Sequence, residues 1–134
     1  MLKLHCSPPV AFGLLRPEFS YFFSEGAKMA QQFVKAEIKG DKVVVFLKPT
    51  CPYCVMAEDV LSNYNFKPGH LKCINISEHS EMNAIQDYLL ELTGARTVPR
   101  VFIGENCIGG GSDVEALHKS GKLEGMLKSI GALQ

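Results

Sequence analysis

Two thiols three positions apart, Cys51 and Cys54 in the stretch Lys48-Pro49-Thr50-Cys51-Pro52-Tyr53-Cys54, are the groups in this chain best suited to covalent chemistry. At that spacing both fall on one side of a helical turn and can close a small disulfide ring, so the chemistry is dithiol redox exchange. The flanks say which thiol is the reagent. Val43-Val44-Val45-Phe46-Leu47 is a short, β-branched apolar run that reads as a buried strand, and Val55-Met56-Ala57-Glu58-Asp59-Val60-Leu61 has helix-forming composition. Thr50 suits an N-cap and Pro52 the first helical turn, which puts Cys51 where unpaired amides and the macrodipole favour negative charge. An unperturbed thiol near 8.5 is only roughly 3% thiolate at neutral pH, whereas helix-start sites range down to about 3.5. Cys51 is therefore expected to ionise easily, with Lys48 adding a cation nearby.

Metal binding is the alternative use of two cysteines. Zinc would need two more ligands, and the remaining candidates, Cys6, Cys73, Cys107, His5, His70, His79 and His118, contain no second close pair. No metal is expected.

A second stretch, Gly109-Gly110-Gly111-Ser112-Asp113-Val114-Glu115, is a glycine loop feeding a helix. Glycines let backbone approach a ligand, and Ser112 with Glu115 makes a capping box whose amides would face an anion. On local grounds a plain turn and cap fits equally well, and no nucleotide-binding pattern is met. Gln86 and Asp87 lie off the apolar stripe of their helix, free to be solvated surface or ligand contacts, with surface the default.

The remainder of the chain must position these groups. Its 134 residues carry 14 basic and 14 acidic side chains, and nothing in them suggests a nucleic-acid or membrane surface. Five cysteines with one motif-like spacing argue against a secreted disulfide framework and for a reducing compartment, the cytoplasm. Residues 1–28 hold scattered Pro, Phe and Tyr without period and read as a flexible extension, poor as a secretory or mitochondrial signal, with Cys6 a spare exposed thiol. A domain opens at Met29. Its elements are a short helix with Phe33, Val34 and Ile38 on one face, ended at Gly40, then the first strand and a helix running to about Tyr64. The strand Leu71 to Ile76 follows, with Cys73 by default buried and inert. A helix capped by Ser80, with Ile85, Leu89 and Leu92 at helical spacing, ends at Gly94; a hairpin of Arg100 to Ile103 with Cys107-Ile108 comes next. Helices from Ser112 to His118 and about Lys122 to Ile130 finish the chain. This order predicts an α/β domain with a four-stranded mixed sheet flanked by helices, and the Cys-x-x-Cys after the first strand points to the thioredoxin-like fold.

Residues 29–134 resemble a glutaredoxin throughout, through Cys51-Pro52-Tyr53-Cys54, Thr97-Val98-Pro99 and Gly109-Gly110 followed by Ser112-Asp113. The stretch from Leu92 to Gly104 and the ending Ile130-Gly131-Ala132-Leu133-Gln134 are similar to the dithiol glutaredoxins, or thioltransferases, of the vertebrate cytosolic type. The resemblance implies a glutathione-dependent thiol–disulfide oxidoreductase with glutathione as co-substrate. Cys51 would be the nucleophile towards glutathionylated proteins, and Cys54 its partner for disulfide-containing proteins. It further implies glutathione contacts from Lys48 and Gln86 to the glycine carboxylate and from Tyr53 beside the thiol. Thr97 and Val98, before a cis Pro99, would contact the tripeptide backbone, and Gly110, Ser112 and Asp113 the γ-glutamyl end. Two features depart from the family: Val55-Met56 stands where a basic pair is common, and Gly111 where a cysteine is. Fewer cations near Cys51 would make it less acidic, and one possible regulatory disulfide is lost.

Two other classes are compatible with the motif. A thioredoxin-type reductant is disfavoured by the absence of tryptophan, and a module bridging an iron–sulfur cluster through Cys51 and glutathione is disfavoured by Pro52. A monomer is expected, since no long apolar stripe is left once the core is assigned.

Overall fold

The computed structural model describes residues 24–134, so the expectations for residues 1–23, including the spare thiol at Cys6, lie outside the described residues. The elements in order are α1 (Glu25–Glu37), β1 (Val43–Leu47), α2 (Pro52–Leu61), β2 (Leu71–Asn75), a 3-10 turn (Ile76–Glu78), α3 (Met82–Thr93), β3 (Arg100–Ile103), β4 (Asn106–Gly109), α4 (Gly111–Lys119) and α5 (Leu123–Ser129). The strands form one sheet in the order β2-β1-β3-β4. β1 runs parallel to β2 and antiparallel to β3, and β3 pairs antiparallel with β4 through the hairpin at Gly104, whose φ is 65°.

Every residue of β1 is buried, which explains its unbroken apolar run: a central strand covered on both faces has no solvent side to alternate towards. Its side chains divide between two cores. Val43, Val45 and Leu47 join Val101 and Ile103 beneath α2, α4 and α5, with Ala57, Leu61, Val114, Leu123 and Leu127 in the same cluster. Val44 and Phe46 face the other way with Phe102, Ala30, Val34, Ile85 and Leu89, under α1 and α3. There Phe46 and Phe102 meet edge to face, with ring centroids 5.9 Å apart.

The helix boundaries differ from expectation where capping decides them. α1 begins at Glu25, four residues before Met29, because the Ser24 hydroxyl accepts from the Ala27 amide at 3.0 Å. It ends at Glu37, before Gly40. Ser80 does not cap α3: the helix starts at Met82, Asn75 instead caps the 3-10 turn, and the Glu81 amide donates to His79 Nδ1 at 2.9 Å. At the other end of α3, Gly94 adopts the left-handed conformation at φ 89° and donates to the Leu90 carbonyl, as the C-terminal glycine predicts. Cys73 is a correction. It sits in the edge strand β2 opposite Val45 and is exposed, not buried, because alternation along a strand does not say which strand lies at the edge. Its thiol is nonetheless pushed up to about 11, first by lost solvation of the sulfur and then by the neighbouring Glu58 carboxylate.

Candidate active site

The turn after β1 carries the two motif cysteines in unequal positions. Cys51 is itself the N-cap of α2, with Pro52 at the first helical position, and Thr50 makes no cap. The Cys51 amide donates to the Lys48 carbonyl at 3.2 Å, and the Cys51 carbonyl accepts from the amides of Cys54 and Val55 at 3.0 and 3.1 Å. The Cys51 side chain therefore emerges at the amide end of the helix, partly open to solvent.

Cys54 points inward. It is buried in the core cluster beneath α2, and its sulfur accepts from the Lys48 amide at 3.4 Å. Burial pushes its thiol up to about 12, against the smaller opposing effect of that amide, with Cys51 and Glu58 adding to the rise. Cys54 is thus a protonated thiol at neutral pH, and Cys51 is the sulfur available to attack.

Two other segments converge on Cys51. The Cys51 thiol lies 3.5 Å from the Val98 carbonyl, in position to donate to it, and Val98 precedes Pro99 through a cis peptide bond. This bond ties the redox turn to the chain entering β3, a separation of 47 residues. From the other side α4 abuts α2. A Cβ added at Gly111 would overlap the Tyr53 carbonyl, so the missing side chain is what lets the two helix starts meet. The Tyr53 side chain is turned outward and is 55% exposed.

The glycine loop is organised differently from the predicted capping box. Gly110 is the N-cap of α4, and the Asp113 Oδ2 accepts from its amide at 2.8 Å; Glu115 takes no part, and Ser112 lies inside the helix. Gly109, at φ 115°, makes room for that carboxylate, since a Cβ there would overlap Asp113 Oδ2. Two of the three glycines therefore admit parts of the protein itself. The start of α4 meets the redox turn at the Gly111–Tyr53 contact.

Lys48, Thr97 and Gln86 are the remaining predicted residues. Lys48 directly follows β1 and makes no ion pair among the described residues. Thr97 is exposed next to Val98. Gln86 is not solvated surface: it is 6% exposed, and its Nε2 donates to the Arg96 carbonyl at 2.9 Å, pinning the loop that leads to Thr97. Asp87 is the solvated member of the pair and holds Arg96, whose guanidinium lies 3.1 Å away. Sequence reasoning assigned Arg96 no role. A lone arginine between Ala95 and Thr97 gives no spacing signal, and its placement follows from the Gln86 and Asp87 contacts. Among the described residues no three His, Cys, Asp or Glu side chains cluster as a metal site.

The chain has clear relatives among known proteins. A family model described as glutaredoxin matches residues 43–108. The chain is 57% identical over 106 residues to glutaredoxin-1 of Rattus norvegicus, covering 79% of this chain and 99% of that protein. It is 58% identical to glutaredoxin-1 of Homo sapiens over 106 residues, again 79% of this chain and 100% of that protein. Among solved structures, a buckwheat glutaredoxin–glutathione complex superposes with a TM-score of 0.75 at 37% identity, covering 83% of this chain and 98% of that one. Oxidized glutaredoxin 2 from Chlamydomonas reinhardtii gives 0.72 at 37% identity, with coverages of 82% and 100%.

Proposed function

Because the chain belongs to the glutaredoxin family and so is a thiol–disulfide oxidoreductase with glutathione as co-substrate, we propose that it removes glutathione from protein mixed disulfides and also reduces some protein disulfides. The observation that carries this reading is the asymmetry of the two thiols, one at an open helix end beside the Val98 carbonyl and one buried and protonated. In the first step the Cys51 sulfur attacks the glutathione sulfur of the mixed disulfide; that S–S bond breaks and the protein thiol departs with a proton. A second glutathione, as thiolate, attacks the glutathione sulfur now on Cys51, giving glutathione disulfide and the Cys51 thiolate. For a protein disulfide, Cys51 attacks one sulfur and frees the other as a thiol. Cys54, giving up its proton to the departing sulfur, then attacks the Cys51 sulfur, so that the Cys51–protein bond breaks and the second protein thiol leaves. The Cys51–Cys54 ring so formed is reduced by two glutathiones to give glutathione disulfide.

The tripeptide would lie along Thr97-Val98, exposed at Thr97 and half-buried at Val98, where backbone groups can pair in strand-like fashion. Its γ-glutamyl end, carrying both charges, suits the α4 start at Gly110 and Ser112 with Asp113 alongside. Its glycine carboxylate suits Lys48 and the loop pinned by Gln86, with Tyr53 beside the sulfur. A cytoplasmic monomer acting on glutathionylated and disulfide-containing proteins completes the proposal. No helix of the described residues is long and apolar enough to cross a membrane.

Turnover of a glutathionylated protein, with either glutathione and glutathione reductase or thioredoxin reductase as electron source, tests the reading. Only the glutathione system should support turnover. Cys51→Ser should abolish it, and Cys54→Ser should keep most deglutathionylation while losing reduction of protein disulfides. Equal loss in the two variants would sink the division of labour.

A further inference from the structure

The outward face of α2 repeats one row of side chains away from the nucleophile. Cys51, Val55, Glu58, Asp59 and Ser62 follow the helical spacing along the open side, next to the buried row of Cys54, Ala57, Val60 and Leu61. Val55 is 46% exposed and, with Tyr53, makes up two of the four large hydrophobic side chains exposed among the described residues. Glu58 and Asp59 are both exposed one turn further, and α2 contains no basic residue. Val55 is joined to the nucleophile by the bond from its amide to the Cys51 carbonyl, so an apolar contact and then two negative charges lie in order beside the reactive sulfur.

We propose that this row selects the protein substrate: a glutathionylated segment with an apolar residue beside its modified cysteine and a lysine or arginine slightly further on. The proposal rests on the deglutathionylation reading above and adds the substrate class. Distances set the spacing. Val55 lies about 6 Å and Glu58 and Asp59 about 10–12 Å from Cys51 along the axis at 1.5 Å per residue. An extended substrate rises about 3.3 Å per residue, so its apolar residue falls about two positions, and its basic residue three to four positions, from the modified cysteine. Charge complementarity fixes the sign, since two exposed carboxylates without a base on the helix favour a cationic segment. Chemistry in the complex is the first step already given: the Cys51–glutathione bond forms as the peptide–glutathione bond breaks, and the peptide sulfur leaves and is protonated.

Three glutathionylated peptides of one length would test this, with Leu and Lys, Leu and Glu, or Ser and Lys at the two positions. The mixed disulfide of glutathione with free cysteine gives the baseline. The Leu and Lys peptide should exceed each of the others in kcat/KM by roughly three- to ten-fold, the lysine share shrinking as salt is raised. Val55→Ser should erase the leucine advantage, and Glu58→Gln with Asp59→Asn the lysine advantage, with turnover of the small mixed disulfide unchanged in both. Equal kcat/KM for the three peptides, with the small disulfide still turned over, overturns the substrate proposal alone. Variants that slow all substrates in proportion overturn it as well. No turnover of the small disulfide by the unsubstituted chain overturns the parent reading and this one together.

Discussion

Cys54 links the chemistry of the site to the stability of the chain. Its thiol moves from 9.0 up to about 12 on folding, chiefly because burial disfavours the thiolate. The unfolded chain therefore releases this proton first as pH rises, and stability, full below about pH 9, falls from there towards pH 12. Cys73 acts in the same direction. Cys54→Ala should consequently show a shallower loss of stability above about pH 9 than the unsubstituted chain, measured by urea unfolding under reducing conditions; parallel slopes would remove Cys54 as a cause. At this scale the sequence was legible where chemistry depends on covalent spacing, as in Cys51 and Cys54. It was opaque where a side chain finds its partner through the path of a loop. Gln86 reads as surface because it lies off the apolar stripe of α3, yet the Arg96 carbonyl that satisfies its amide arrives only when the following loop folds back.

Among the elements, the contact of α2 with α4 depends on an absent side chain. Alanine at Gly111 would drive its Cβ into the Tyr53 carbonyl, part of a backbone that cannot swing aside as a flexible side chain would. Gly111→Ala should cost about 1–3 kcal/mol and raise the KM for glutathione by moving the start of α4 away from the redox turn. Gly125 offers the opposite sign. It lies within α5 with nothing within 4 Å of an added Cβ, so Gly125→Ala should stabilise by about 0.5–1 kcal/mol through helix propensity alone. Thermal unfolding of both variants checks the pair; similar shifts would mean that the Gly111 contact is slack. The kinds and order of the elements could be read from periodicity, while their ends could not. Ser80, Ser112 and Thr50 are all good capping residues by type, but Glu81, Gly110 and Cys51 hold the cap positions because packing of the helix starts decides which competing residue is used.

For the molecule as a whole, the sheet order follows from a short parallel crossover and a hairpin, both visible in the sequence, whereas the edge position of β2 emerges only once all four strands are assembled. The opening of α1 likewise belongs to this scale. A Cβ at Gly26 would overlap the Glu81 carboxylate, so the first turn of α1 rests against the start of α3. A chain beginning at Met29 loses that contact and the Ser24 cap, and should be less stable by about 1 kcal/mol than one beginning at Ser24. Urea midpoints of the two compare them directly, and equal values would show that the first turn adds nothing. β1 has a further consequence. Hydrogen-bonded to a strand on each side and covered by helices above and below, its amides have no local route to solvent. In native-state hydrogen exchange the amides of Val44 to Phe46 should be among the slowest and report the global unfolding free energy, while those of exposed Thr97 exchange through small openings. The reactive turn is thus hinged at Leu47 to the part of the protein that opens last, so the nucleophile keeps its position while a ligand enters and leaves.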